Sequence, residues 1–252
     1  MDIDRNALID AIRQCVAKHE WVAGAWLGGA DATNRVDHLS DVDLQLIVPD
    51  EHIETAFELM EAMLEDLGGI AHRWRLPDPT KYGHAQAVYL LANAPSHCFL
   101  DLCVMKRSSG VWYTERERHG EIVVLVDREG LLDPLPLEEE ELAARRASHL
   151  RHLEASLPIH FETVWKAIER GDISEASMRY HTRVLRSLID LLRLKHCPDR
   201  FDFKERYLQH DLPPAERALI EELSLPGSMA ELRGVFLKAR SEIERLLGTI
   251  SP

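Results

Sequence analysis

The 252-residue chain carries 43 acidic and 30 basic side chains, a formal net charge of −13, in the composition of an ordinary soluble globular protein (45% hydrophobic, 29% charged). No run approaches the roughly 18 apolar residues of a membrane span, and the start Met1-Asp2-Ile3-Asp4 lacks the basic region of a secretory signal, so a cytoplasmic protein without a membrane partner is the expectation. The acidity is concentrated in residues 1–133 (23 acidic, 12 basic), against 20 and 18 in residues 134–252. A net-acidic chain with no long basic patch argues against a nucleic-acid partner and suits a cationic small substrate. The four cysteines form no CxxC pair, so buried free thiols are expected rather than a zinc site or disulfides.

In chain order, apolar side chains at Leu8, Ile9, Ile12, Cys15 and Val16 repeat at helical spacing and predict a helix over 5–20. The short apolar run 21–27 predicts a strand closed by Gly28-Gly29. A polar, turn-rich stretch follows over 31–40. Residues 41–48 alternate apolar and polar and predict a second strand, stopped by Pro49. Asp50 is placed to cap a helix over 51–67 that ends at Gly68-Gly69. Further strands are expected at 70–76, 85–92, 97–105 and 121–126. The mixture predicts an α/β or α+β first domain over residues 1–133.

The character changes at Asp133-Pro134-Leu135-Pro136, a turn-forming linker followed by the acidic helix start Glu138 to Glu141. Helical patterns then run over 138–156, 158–170, 173–196, 213–224 and 228–248, punctuated by Pro158, Gly171, Pro198 and Pro213-Pro214. An all-α second domain over 134–252, built as a bundle, is the expectation.

The chemistry-bearing pattern is Leu27-Gly28-Gly29, eleven residues of loop, then Asp41-Val42-Asp43-Leu44. Side chains at i and i+2 of a strand share a face, so Asp41 and Asp43 project together while Val42, Leu44, Leu46 and Val48 point into a core. Two adjacent carboxylates repel unless a cation lies between them or one is protonated. Beside a backbone bared by glycine, they form what a magnesium-bound phosphate needs.

These residues resemble the signature of the nucleotidyltransferase superfamily typified by DNA polymerase β: a hydrophobic residue, Gly, Gly or Ser, a gap of about a dozen residues, then Asp-hydrophobic-Asp-hydrophobic. The resemblance implies an α+β fold, with a nucleotidyltransferase domain whose mixed β-sheet is flanked by helices, followed by the helical bundle. It also implies a third carboxylate from a later strand. Asp101, in Phe99-Leu100-Asp101-Leu102-Cys103-Val104, stands in such a strand. The layout is similar to the small-molecule branch, which includes the aminoglycoside and lincosamide nucleotidyltransferases. The implied reaction transfers a nucleoside monophosphate, AMP from ATP above all, to a hydroxyl of a small acceptor, with pyrophosphate leaving. The implied cofactor is Mg²⁺, as two ions held by Asp41, Asp43 and Asp101, with the nucleoside triphosphate as co-substrate. Gly28 and Gly29 are implied to let backbone N–H groups approach the phosphates. Asp101 has two open roles, metal ligand or base, and a Glu of the helical domain is the alternative base. Protein modification of the antitoxin type and a non-catalytic nucleotide-binding module are the alternative functions.

Several residues have two readings. Ser40 either contacts a phosphate or caps the strand, while Asp31 and Asp37 are expected to be loop charges rather than ligands. Arg179, Arg183, Arg186 and Arg193 share a helical face with Asp190; either they form a solvated or salt-bridged face, or one or two of them hold the triphosphate. In the segment 199–207, Lys204, Arg206 and Tyr207 line the nucleotide side of the cleft on one reading. On the other, Phe201, Phe203 and Tyr207 pack the loop onto the bundle. His149 and His152 are expected at the surface, Trp74 and Trp112 in the core.

Overall fold

A computed structural model describes residues 3–80, 82–95 and 97–250; Met1 and Asp2 of the acidic start lie outside them. The chain is an α+β protein that divides into two compact units, Met1–Leu137 and Glu138–Pro252.

The first unit runs α1 (Arg5–Ala17), β1 (Gly24–Leu27), the short α2 (Gly29–Ala32), β2 (Val42–Val48), α3 (Ile53–Leu67), β3 (Ile70–Arg75), β4 (Ala85–Leu91), β5 (Phe99–Lys106), the short α4 (Arg116–His119) and β6 (Val123–Asp127). The strands form one mixed sheet in the order β3-β4-β5-β2-β1-β6, in which β2 and β5 are parallel and the other pairs antiparallel. Strand alternation sorts the side chains. Val42, Leu44, Leu46, Leu100, Leu102, Val104, Ala87 and Tyr89 are fully buried in a core shared with Leu8 and Ile12 of α1 and Phe57 and Met60 of α3. On the opposite face Trp26, Ile47 and Met105 pack with Trp112 and Leu132. That smaller cluster covers the end of the sheet where β2 and β5 finish and leaves their beginnings to polar side chains.

Two local expectations change. Asp50 does not cap α3; a 3₁₀ turn (Asp50–His52) precedes the helix, and the Asp50 carboxylate accepts from Ser108 N (3.2 Å) and Oγ (2.6 Å), which holds its pKa below the usual carboxylate range. Residues 138–156 and 158–170 are not two helices but one, α5 (Glu139–Glu169), with Pro158 inside it. Proline forfeits a backbone hydrogen bond there. Leu150, Leu153, Leu157, Phe161 and Val164 are nonetheless all buried, so the apolar stripe continues in phase across it and packing carries the helix through.

The second unit continues with α6 (Ile173–Arg179), a π-helical segment (Tyr180–Leu185), α7 (Arg186–His196), a 3₁₀ segment (Pro198–Phe203), α8 (Leu208–Asp211), α9 (Pro214–Ser224) and α10 (Met229–Leu247). Its core holds Val164, Tyr180, Val184, Leu188, Leu191, Leu223 and Phe236. Ser228 caps α10 by accepting from Glu231 N, while Glu231 reaches back to Gly227 N, a reciprocal cap. The 197–211 connection is pinned by Arg193, which is wholly buried beside Asp211 (3.0 Å). Its guanidinium also donates to the backbone oxygens of Lys204 (2.6 Å), Arg200 (3.2 Å) and Arg206. Among the described residues, no helix is long and apolar enough to cross a membrane.

Candidate active site

β2 and β5 run side by side and parallel, with Asp43 in register with Asp101. Since Val42 and Leu44, and Leu100 and Leu102, face the core, Asp43 and Asp101 stand on the opposite face as cross-strand neighbours. Asp41 directly precedes β2 and is half-buried. β1 ends next to this point: Gly28 N donates to the Asp43 backbone oxygen at 2.9 Å. The fold thus brings the separated parts of the sequence motif, and the strand aspartate 58 residues beyond Asp43, to one end of one sheet face.

The two glycines differ in what they permit. Gly29 has φ +52, and a Cβ there would lie 1.7 Å from Asp43 Oδ2. A Cβ on Gly28 would meet only the flexible side chain of Gln45, at 2.9 Å. Gly29→Ala is therefore expected to cost about 1–2 kcal/mol for the left-handed backbone alone and to displace the Asp43 carboxylate. Gly28→Ala is expected to keep close to wild-type stability. Urea denaturation of the two variants measures the difference; equal stability would mean that Gly29 and Asp43 do not crowd each other.

Burial raises the pKa of both Asp41 and Asp101. At Asp41 the Asp101 and Asp31 charges push the same way, while its own backbone N–H and Arg5 oppose them. At Asp101 a hydrogen bond from Gln86 opposes the rise. Cys103, two residues along β5, has its thiol pKa driven up by burial and then by the charges of Asp101 and Asp43, so it is a neutral wall of the site. Beneath Asp43, the buried Oε1 of Gln45 has no hydrogen-bond partner.

Two residues that pattern reading did not single out organise this face. Arg5, from the start of α1, donates Nε to the Asp41 backbone oxygen at 3.0 Å and pairs with Asp31. It so ties the loop after the glycines to the start of β2. Gln86 of β4 donates Nε2 to both Asp101 oxygens, at 2.7 and 3.0 Å. No spacing rule flags either residue, because each acts across strand order that only the folded sheet reveals. Trp74 departs from its expected core position. It lies on edge strand β3, in register with Val88 and through it with Asp101, and is 58% exposed on that face. Trp112 is buried as expected.

The remaining candidates have local partners. Ser40 Oγ accepts from Asp37 N and donates to Asp37 Oδ1, closing a tight turn; the Leu39 N–H and then the Ser40 hydroxyl lower the Asp37 pKa. In the helical unit Arg179 donates to the Thr163 backbone oxygen (3.1 Å) and pairs with Glu175, and Arg183 donates to Thr163 Oγ1 (3.1 Å). Arg186 bridges Asp190 (3.1 Å) and Glu205 (2.8 Å), and His149, half-buried, lies 3.3 Å from the other Asp190 oxygen. Phe201 and Phe203 are buried, packing the connection onto the bundle, while Lys204 is exposed and the Arg206 guanidinium lies over the Phe203 ring. Tyr207 lines an open cavity of about 460 Å³ with Leu208, His210, Arg217 and Ile220.

No protein-family model matches the chain, and no curated protein matches it. Among solved structures it is similar to an aminoglycoside 6-adenyltransferase from Bacillus subtilis, at 14% identity and a TM-score of 0.37, over 99% of this chain and 94% of that one.

Proposed function

We propose that the chain is a nucleotidyltransferase that moves a nucleoside monophosphate, AMP from ATP in the first instance, onto a hydroxyl of a small acceptor. The observation that carries this reading is the juxtaposition at one sheet end of Gly29 against Asp43, of Asp43 against Asp101, and of Asp41 close enough to feel the Asp101 charge. Three carboxylates, two of them disfavoured as ions by burial, are unstable neighbours without a cation.

The donor set suits Mg²⁺, which takes hard oxygen ligands. Among the described residues, no group of three or more His, Cys, Asp or Glu side chains is placed as a ready metal cage. Mg²⁺ rarely uses one; it is held by one or two carboxylates together with substrate phosphates. Asp41 and Asp43 would hold it, with Asp101 beside them. Held there with the triphosphate, it would supply positive charge that offsets the negative charge on the phosphate oxygens.

The residues of the chain supply the rest. The absence of a Cβ at Gly28 and Gly29 lets the β1–α2 backbone approach the phosphates. Asp101, whose proton affinity burial raises, accepts the proton of the attacking hydroxyl. The acceptor oxygen bonds to the α-phosphorus, the bond from that phosphorus to the β-bridging oxygen breaks, and pyrophosphate leaves with the electron pair. An acidic face draws in a cationic acceptor such as an aminoglycoside-like polyamine sugar. The test is pyrophosphate release from each nucleoside triphosphate with Mg²⁺, against panels of aminoglycosides, lincosamides and proteins. The expected result is release that depends on a small hydroxyl-bearing acceptor.

A further inference from the structure

The Asp101 carboxylate is held by a side chain outside the aspartate set. Gln86 sits on β4 opposite Cys103, on the same face as Asp101, and its single amide nitrogen donates to both carboxylate oxygens at 2.7 and 3.0 Å. With its nitrogen turned to Asp101, Gln86 presents its oxygen on the other side of the amide. A carboxylate offers about four lone-pair directions, of which Gln86 occupies two. The remaining two are left for a cation and a reacting hydroxyl.

Resting on the nucleotidyltransferase reading above, we infer that Gln86 is a positioning residue that fixes the rotamer of Asp101 so that its remaining lone pairs would meet a cation held by Asp43. A neutral amide suits this task better than a cation. An Arg or Lys in its place would neutralise Asp101 and compete with the metal, whereas Gln orients the carboxylate and leaves its charge in place.

The experiment uses the full chain and Mn²⁺ alone as probe, with free Mn²⁺ read by its electron paramagnetic resonance signal and folding checked by thermal melting. Removing an outer partner of a metal-binding carboxylate typically weakens affinity about 10–100-fold. Gln86→Leu is expected to weaken Mn²⁺ binding by about tenfold, Gln86→Met similarly, and Asp43→Asn to remove it. A merely structural Gln86 would give losses that follow the melting temperature instead. Wild-type affinity in folded Gln86→Leu or Gln86→Met, with binding lost in Asp43→Asn, overturns the role of Gln86 and leaves the proposed reaction standing. Failure of the wild-type chain to bind Mn²⁺ alone overturns the role of Gln86, while the proposed reaction, whose cation would be held together with substrate phosphates, is tested separately by pyrophosphate release.

Discussion

Asp43→Asn is expected to lower acceptor-dependent pyrophosphate release by about a thousandfold or more while leaving the melting temperature within a few degrees of wild type. The size follows from what one metal-holding carboxylate would do in the proposed displacement. It would hold the cation that would offset negative charge on the attacking and leaving oxygens, a contribution of several kcal/mol, and each ~1.4 kcal/mol is tenfold in rate. The small effect on folding follows from the surroundings. Asp43 is half-buried on the polar face, and its backbone oxygen receives the Gly28 N–H at 2.9 Å, a bond that Asn keeps. Asn keeps the volume and one acceptor oxygen next to Gly29. Asp41→Asn is expected to behave alike. Steady-state assays with calorimetric melting check both; undiminished turnover in the folded variants would remove Asp41 and Asp43 from the reaction.

Arg193→Met is expected to destabilise the helical unit by about 3–5 kcal/mol, the range for breaking a buried ion pair by removing one partner. Both side chains of the Arg193–Asp211 pair are fully buried. Loss of the guanidinium also frees the backbone oxygens of Arg200, Lys204 and Arg206. The connection those bonds hold contains two non-glycine residues at positive φ, Lys204 (+61) and Tyr207 (+59), a conformation kept only where surrounding contacts over-determine it. Urea unfolding is the measurement. A cost under 1 kcal/mol would show that the buried pair is not what orders residues 197–211.

Strand alternation makes most of the first unit legible in the sequence. Val42-Asp43-Leu44 and Leu100-Asp101-Leu102 each announce one buried and one polar face, while the periodicities alone leave α/β and α+β open and the resemblance points to α+β. What the linear pattern does not contain is strand order. That Asp101 is the cross-strand neighbour of Asp43, and that Gln86 and Trp74 stand on the same face, depends on β5 inserting between β4 and β2. The edge position of β3 likewise exposes Trp74, although its composition alone suggests a core residue. In the helical unit, the arginines at helical spacing have identical local signatures, yet Arg193 is buried against Asp211 while Arg186 reaches Asp190 and Glu205. Only the path of residues 197–211 separates them. Pro158 misleads for the opposite reason: its local cost is real, but the apolar stripe on either side outweighs it.

The central claim is transfer of the α-phosphoryl nucleotide, and the position of a radiolabel tests it most directly. Matched reactions are run with ATP labelled at the α- or the γ-phosphate, Mg²⁺ and the acceptor that supports turnover. Label is predicted to enter the acceptor from the α-position only, with pyrophosphate formed in equal amount and both signals absent in Asp43→Asn. Transfer of the γ-label, or α-label transfer that survives in Asp43→Asn, would contradict the account.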